Sequence, residues 1–201
     1  MANWPLHLFL DLDQTCIFAR PWERGGVPVG WDPERGRPLF EVAVRPGLLD
    51  FLRTVPPESC RLYVWTAGTR EYAEEVTRNV LVAAGVPVVC TFHREHCAWS
   101  MVNFGHPKFV SGLLAAFPHI FGAGGVRGVA VLLDDLPEMA TWQPHRVVTV
   151  PAFVGQPDDS FFADTEEVWK RIRSRRWEQM GGRRVRVEVD GGDRPVRPDF
   201  V

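Results

Sequence analysis

No apolar run in this chain approaches the roughly 20 residues that a helix needs to cross a bilayer, so no membrane association is expected. The first residues, Met1-Ala2-Asn3-Trp4-Pro5, lack the basic n-region of a secretory leader. The expectation is an intracellular protein of nucleus or cytoplasm, not a secreted one. An excess of one charge is also missing: 23 Lys and Arg against 25 Asp and Glu leave a net charge of −2. Such a balance supplies no global drive toward nucleic acid or a membrane surface. Cysteine is limited to Cys16, Cys60, Cys90 and Cys97, without a disulfide-framework spacing, which points to a reducing compartment. Cys90, His93, His96 and Cys97 form a C-x2-H-x2-H-C string, but that packs four potential zinc ligands into eight residues. The long loop that normally separates two ligand pairs is not there, so the spacing argues against zinc. No internal repeat is visible.

What is present describes an ordinary soluble domain. The chain has 201 residues, 45% of them hydrophobic and 24% charged, enough for one compact unit with a sizeable core. Residues 1–180 read as a single domain and 181–201 as a short strand-like tail, with alternation over Arg183 to Val189 before the turn Asp190-Gly191-Gly192. Strand-like and helix-like segments alternate, the pattern of an α/β fold with a largely parallel sheet. Leu6 to Leu10, Arg61 to Trp65, residues 86–92, Val129 to Leu133 and Arg146 to Val150 read as strands. Residues 14–44 are an excursion rich in Gly, Pro and Arg that ends in an alternating run from Leu39 to Val44. Pro46 suits the first position of a short helix, and Glu71, Glu74 and Glu75 suit the first turn of the helix after Thr69. Residues 93–105 read as irregular, Lys108 to Phe117 as helical, and the Gly-rich run from Phe121 to Gly128 as a loop. A last helix starts near Asp164, capped by Asp164 and Glu167, and runs to about Met180.

The first strand ends in Asp11-Leu12-Asp13-Gln14-Thr15. Alternation puts positions 11 and 13 on one side of the chain, where two carboxylates repel unless a cation or a shared proton intervenes. A bound Mg²⁺, which takes hard oxygen ligands, resolves the repulsion; an Asx turn at a strand end accounts for the same string without function. Two further strands also end in polar residues, one in Thr66 and one in Asp134-Asp135, and ligands of open α/β sheets bind at such carboxyl ends. Lys108 adds a cation between them. Several carboxylates, one lysine and one threonine suit a phosphate held beside Mg²⁺.

The arrangement resembles the haloacid dehalogenase superfamily of phosphotransferases, and within it the FCP/SCP-type phosphatases of the RNA polymerase II C-terminal domain, also called NLI-interacting-factor-like. Asp11-Leu12-Asp13-Gln14-Thr15 looks like that branch's D-L-D-[EQ]-T, and Arg45-Pro46 to Phe51-Leu52 resembles its R-P-x-x-x-x-F-L. Val64-Trp65-Thr66-Ala67-Gly68 followed by Tyr72-Ala73 is similar to its F-T-A-[SG]-x-x-x-Y-A. Arg94-Glu95-His96-Cys97 resembles R-E-x-C, Lys108 falls where the family lysine falls, and Asp158-Asp159 resembles the D-D before the last helix. Cys16, His106-Pro107 and the Gly-rich run depart from the pattern, and that run lacks the Lys-Ser/Thr of a P-loop. The match covers about residues 6–175. It implies a Rossmann-like parallel sheet flanked by helices, with short insertions after the first motif and between the second and third.

Residue chemistry and resemblance together suggest the roles. Asp11 suits a nucleophile that forms an aspartyl-phosphate, and Asp13 a general acid and base. The resemblance implies Mg²⁺ held by the Asp11 carboxylate, the Asp13 backbone carbonyl and Asp135, with Asp134 orienting Lys108 or a metal-bound water. Thr66 and Lys108 would hold the phosphoryl oxygens. Arg94 and Tyr72 are candidates for contact with a phosphopeptide, and Trp22, Trp31 and Phe40 for an apolar pocket that the resemblance places in the insertion. Lys170, Arg171, Arg173, Arg175 and Arg176 form a basic run that reads as a solvated helical face or a binding surface. The expected function is a Mg²⁺-dependent protein serine/threonine phosphatase acting on a phosphorylated protein or peptide. A phosphatase for a small molecule or nucleic-acid end, or a catalytically silent binding protein of the same fold, stands as the alternative.

Overall fold

Five strands form one parallel sheet in the order β6-β5-β1-β7-β8. They are β1 (Leu6–Leu10), β5 (Cys60–Trp65), β6 (Val88–Phe92), β7 (Val129–Asp134) and β8 (Val147–Thr149). The computed structural model describes residues 5–97, 106–121 and 129–181. The expected loop at 122–128, the expected tail strand from Arg183 to Val189 and its turn, and residues 98–105 of the irregular stretch lie outside the described residues.

The chain winds outward from β1 through β5 to β6, then returns to the other side of β1 for β7 and β8. Helices follow that path. α1 (Leu48–Arg53), α2 (Arg70–Val76, extended by a wider turn over Thr77–Val82) and α6 (Thr165–Gln179) cover one face. α3 (Val110–Ala116), α4 (Pro118–Phe121) and α5 (Pro137–Trp142) are the other α-helices among the described residues, and α3 and α5 pack on the opposite face. Alternation along β1 serves both layers: Leu6, Leu8 and Leu10 enter the first core, while Phe9 enters an aromatic one with Tyr63, Trp65 and Phe92. Burial on both faces explains why these strands read as continuous apolar runs. Reversal of the winding at β1 leaves a crevice at the carboxyl ends of β5, β1 and β7.

The excursion after β1 is a second, antiparallel sheet of three strands, β2 (Ile17–Pro21), β4 (Arg37–Val44) and β3 (Val27–Asp32), in that order. Only β4 is legible in the sequence. β2 and β3 are its edges, where Pro21 and Pro28 are tolerated and no clean alternation is required. Glu41 fastens the turn between β2 and β3: it is buried and accepts from Arg20 Nε (2.7 Å), Glu23 N (3.1 Å) and Gly25 N (2.7 Å). The Gly25 amide is the main reason its carboxyl is held down at about 2. Glu75 on α2 accepts from Gly30 N at 2.9 Å, tying β3 to the main body.

Three local expectations change. α1 starts at Leu48, because Gly47 adopts φ 75° against the Phe162–Ala163 backbone, where a Cβ would meet Phe162 C at 2.9 Å. Pro46 therefore lies in the turn before the helix rather than at its first position. Of the three glutamates, only Glu71 is in the first turn of α2. Lys108 precedes α3 instead of lying on it: the Gln143 side chain accepts from Val110 N (2.8 Å) and donates to Lys108 O (2.7 Å), holding the entry extended. The cap of α6 is as expected, with Asp164 accepting from Glu167 N at 2.9 Å.

His7 is the titratable group buried deepest in the first strand. It meets Tyr63 Oη at 3.1 Å, and burial, aided by Arg61, lowers its pKa to about 4. An unfolded imidazole takes up its proton near pH 6.5, whereas the folded one resists until about 4. Protonation thus favours the unfolded chain, and stability falls as pH drops through that window. Thermal melts across pH 4–7 should show this acid limb flattened in His7→Gln; an unchanged limb would assign it to other groups.

Candidate functional site

Each acid stands at the carboxyl end of its strand. Asp11 follows β1 and still pairs with β7, its N–H donating to Leu133 O at 3.0 Å, while Asp134 closes β7. Thr66 follows β5, its N–H donating to Phe92 O at 3.1 Å. Because β5, β1 and β7 are adjacent, these side chains converge in one place. Lys108 arrives from the segment before α3 and donates from Nζ both to Asp11 Oδ1 and to Asp134 Oδ2, the latter at 2.8 Å. All three groups are buried.

Asp134 uses its second oxygen, Oδ1, to accept from Leu136 N at 2.9 Å. Asp135 is half-buried and accepts from the Thr15 hydroxyl at 3.1 Å. Oxygens of Asp11, Asp134 and Asp135 lie within 4.8 Å of one another. One ammonium thus faces three converging carboxylates. Burial is the largest cause pushing the Asp11 carboxyl above its ordinary range; Lys108 opposes it, and Asp134 and Asp13 add to it. Asp135 is raised by burial and then by Asp134. Burial works against the Lys108 ammonium, but Asp11 and Asp134 more than offset it and hold its pKa above the usual lysine value. Hard oxygen donors with surplus negative charge fit a small divalent cation. Since both oxygens of Asp134 are engaged, Asp11 and Asp135 are the better placed to hold it.

Asp13 faces the other wall. Tyr72 Oη donates to its Oδ1 at 2.5 Å, and the Thr66 hydroxyl to its Oδ2 at 3.4 Å. Tyr72, an expected substrate contact, therefore holds a carboxylate of the site in this structure. The turn after β5 is tied down from behind. The Cys97 thiol donates to Thr66 O (3.9 Å), Arg94 Nε to Ala67 O (2.8 Å) and Arg94 N to Gly68 O (2.9 Å). That accounts for the R-E-x-C string: its Arg94 and Cys97 brace the turn that carries Thr66. His93 and His96 contact each other, with His93 N donating to His96 Nδ1 at 3.1 Å.

Trp22 and Phe40 stand away from the end of the second sheet that joins the acidic motif. Asp13 bridges to Ile17, which pairs with Val44 at the near end of the three-stranded sheet. Phe40 lies four residues up β4, about 13 Å away at 3.3–3.4 Å per residue, and is 43% exposed. Trp22, half-buried, lies just past the far end of β2. The basic run on α6 is largely paired within its own helix, Lys170 and Arg171 with Glu167 and Arg175 with Glu178. Gln143, which fixes Lys108 from 35 residues away, leaves no local signal in the sequence.

A doubly wound parallel sheet with acids and a lysine gathered at its central carboxyl ends is a haloacid-dehalogenase-type fold. The chain belongs to the NLI interacting factor-like phosphatase family, whose model matches residues 6–179. Among solved structures it is similar to Fcp1, an essential RNA polymerase II CTD phosphatase. That likeness has a TM-score of 0.52 and 22% identity, covering 96% of this chain and 56% of the other. A fission yeast Fcp1 variant bound to beryllium fluoride gives 0.49 and 17%, covering 88% of this chain and 53% of that one. CbbY from Rhodobacter sphaeroides in complex with phosphate gives 0.45 and 16%, covering 79% and 90%. At these identities the likeness concerns the fold, and this chain spans little more than half of the Fcp1 chains. No curated protein gives a significant match. Among the described residues no helix is long and apolar enough to cross a membrane.

Proposed function

We propose that this chain is a Mg²⁺-dependent protein serine/threonine phosphatase working through an aspartyl-phosphate, on phosphopeptides resembling the RNA polymerase II C-terminal domain. The carrying observation is the buried Lys108 ammonium bonded to both Asp11 and Asp134, with Asp135 beside them, in a member of a phosphatase family. Asp11 attacks phosphorus as the ester P–O bond breaks, and Asp13 gives its proton to the departing alkoxide. Water then attacks the aspartyl-phosphate, Asp13 takes its proton back, and the Asp11 carboxylate is released with inorganic phosphate. Thr66 and Lys108 hold phosphoryl oxygens. The Asp11 carboxylate, Asp135 and the Asp13 carbonyl would hold the Mg²⁺, and Asp134 orients Lys108. When bound, the cation neutralises phosphate charge so that one anion can approach another.

A peptide substrate is favoured by the second sheet. Its far end exposes Phe40 (43%) and Trp31 (61%), which pairs with Pro38; they stand four and six residues up β4 from Val44, apolar surface that an extended peptide leaving the phosphate would reach. Four free thiols fit a reducing compartment, nucleus or cytoplasm.

The test is a panel of Ser-Pro phosphopeptides, nucleotides, sugar phosphates and 3′-phosphorylated DNA, each with Mg²⁺ and with EDTA. Mg²⁺-dependent release of phosphate from the phosphopeptides is expected. Turnover confined to a nucleotide, a metabolite or a DNA end would replace the substrate class, and binding without turnover would leave a silent relative. Tyr72→Phe should lower kcat by about 10- to 100-fold on peptide and aryl phosphate alike, because Asp13 loses the shorter bond that aims it. A rise in KM for the phosphopeptide alone would return Tyr72 to substrate contact.

A further inference from the structure

We infer that Arg45 is a positioning residue of the site: it fixes the carbonyl side of the turn that carries the acidic motif and, one bond further, the Asp135 carboxylate. The inference rests on the phosphoryl-transfer reading of Asp11, Asp13 and Asp135. Arg45 follows β4 and is 1% exposed. Its fork holds Asp159 with two bonds, Nε to Oδ1 at 2.7 Å and Nη2 to Oδ2 at 2.8 Å. Nη1 donates to Pro151 O (2.8 Å) and to Thr15 O (3.1 Å), and the Arg45 main-chain N–H donates to Cys16 O (3.0 Å). Phe153 N donates to Gln14 O at 2.6 Å. Three successive carbonyls, those of Gln14, Thr15 and Cys16, thus end on donors from two distant segments.

The turn needs such fixing. Gln14 has φ 60°, a left-handed conformation that a non-glycine residue keeps only when its surroundings over-determine it. With the Thr15 carbonyl held, the hydroxyl of the same residue donates to Asp135 Oδ1 at 3.1 Å. A continuous path therefore runs from Asp159 through Arg45 and Thr15 to Asp135. Only a guanidinium suits it, because a planar fork can serve a carboxylate and two carbonyls at once where an ammonium is a point charge. Stability alone is a weak reason for the pair, since buried ion pairs are commonly replaceable by apolar residues at no loss. Here the guanidinium sits among the rings of Phe153, Phe161 and Phe162, the nearest centroid at 5.0 Å, surroundings that an apolar side chain would fill readily.

The experiment compares Arg45→Lys, Asp159→Asn, Thr15→Val and the Arg45→Lys/Thr15→Val double variant in the full chain. The readouts are Mn²⁺ affinity by calorimetry, thermal midpoint, and kcat and KM for p-nitrophenyl phosphate. Arg45→Lys and Thr15→Val should each weaken Mn²⁺ binding by about 10- to 100-fold, the usual effect of losing a partner behind a metal ligand. The double variant should be little worse than the poorer single one, because both act through Asp135. Asp159→Asn keeps an acceptor for the guanidinium and should lose less of the same affinity. Should Arg45→Lys fail to fold, Thr15→Val and Asp159→Asn carry the test. Mn²⁺ affinity within twofold of wild type in those two, with only the melting point lowered, would overturn the inference while leaving the reading of the site intact. A wild-type chain that binds no Mn²⁺ and hydrolyses no phosphate monoester would overturn that reading, and this inference with it.

Discussion

Asp11→Asn should fold as the wild type does and lose turnover by about four orders of magnitude or more, the scale seen when a covalent nucleophile is removed. The amide is nearly isosteric, and Lys108 keeps Asp134 as a partner, so the local structure survives. What disappears is the anionic oxygen that the proposed mechanism uses to attack phosphorus. Circular dichroism and the thermal midpoint should change little while kcat collapses on every substrate. Substantial residual turnover that persists after contaminating phosphatases are excluded would move the nucleophile elsewhere.

Lys108→Met should be the most damaging change to stability within the site. It leaves Asp11 and Asp134 buried and facing each other without a cation, and breaking a buried pair in this way costs about 3–5 kcal/mol. Protonation of Asp11 offers partial relief. Its carboxyl is already raised by burial, and a carboxyl raised on folding contributes stability at low pH that is lost as pH rises through the folded value. The deficit of the variant against wild type should therefore widen from pH 5.5 to pH 8 and narrow when Mg²⁺ is added. Turnover should fall by about 10²- to 10³-fold on phosphopeptide and aryl phosphate alike, since the lost charge served the group all substrates share. Melts at both pH values, with and without Mg²⁺, check the first claim. A variant as stable as wild type at pH 8 would show that the ammonium does not hold the carboxylates.

The strand ends were legible because the chemistry changes abruptly there: fully buried apolar runs stop at Asp11, Thr66 and Asp134, and adjacency of β5, β1 and β7 then forces convergence. Lys108 was legible as a cation, though not its placement ahead of α3, which depends on a Gln143 side chain distant in sequence. β2 and β3 leave no clear pattern in the sequence because edge strands tolerate Pro21 and Pro28. Pro46 does not open α1 because the start of that helix is set by Gly47 against the backbone at Phe162, a tertiary contact with no sequence signal. Arg45, Asp159 and Arg94 stood out as motif residues without any indication of their partners. Their bonds run to main-chain carbonyls of the two site turns and to each other's segments, and a carbonyl has no letter in a sequence. Phe40 and Trp22 were expected near the phosphate because the resemblance places an apolar pocket in the insertion. The antiparallel register carries them to the far end of the second sheet instead.

The central claim is a phosphate carried on Asp11. The direct measurement is to quench the enzyme in acid during turnover, reduce the acyl phosphate with borohydride, and locate the resulting homoserine by peptide mass spectrometry. Homoserine at position 11, seen only with substrate and Mg²⁺ and lost in Asp11→Asn, is the result predicted. A trapped phosphate on another residue, or none at any time in an enzyme that turns over, would contradict it.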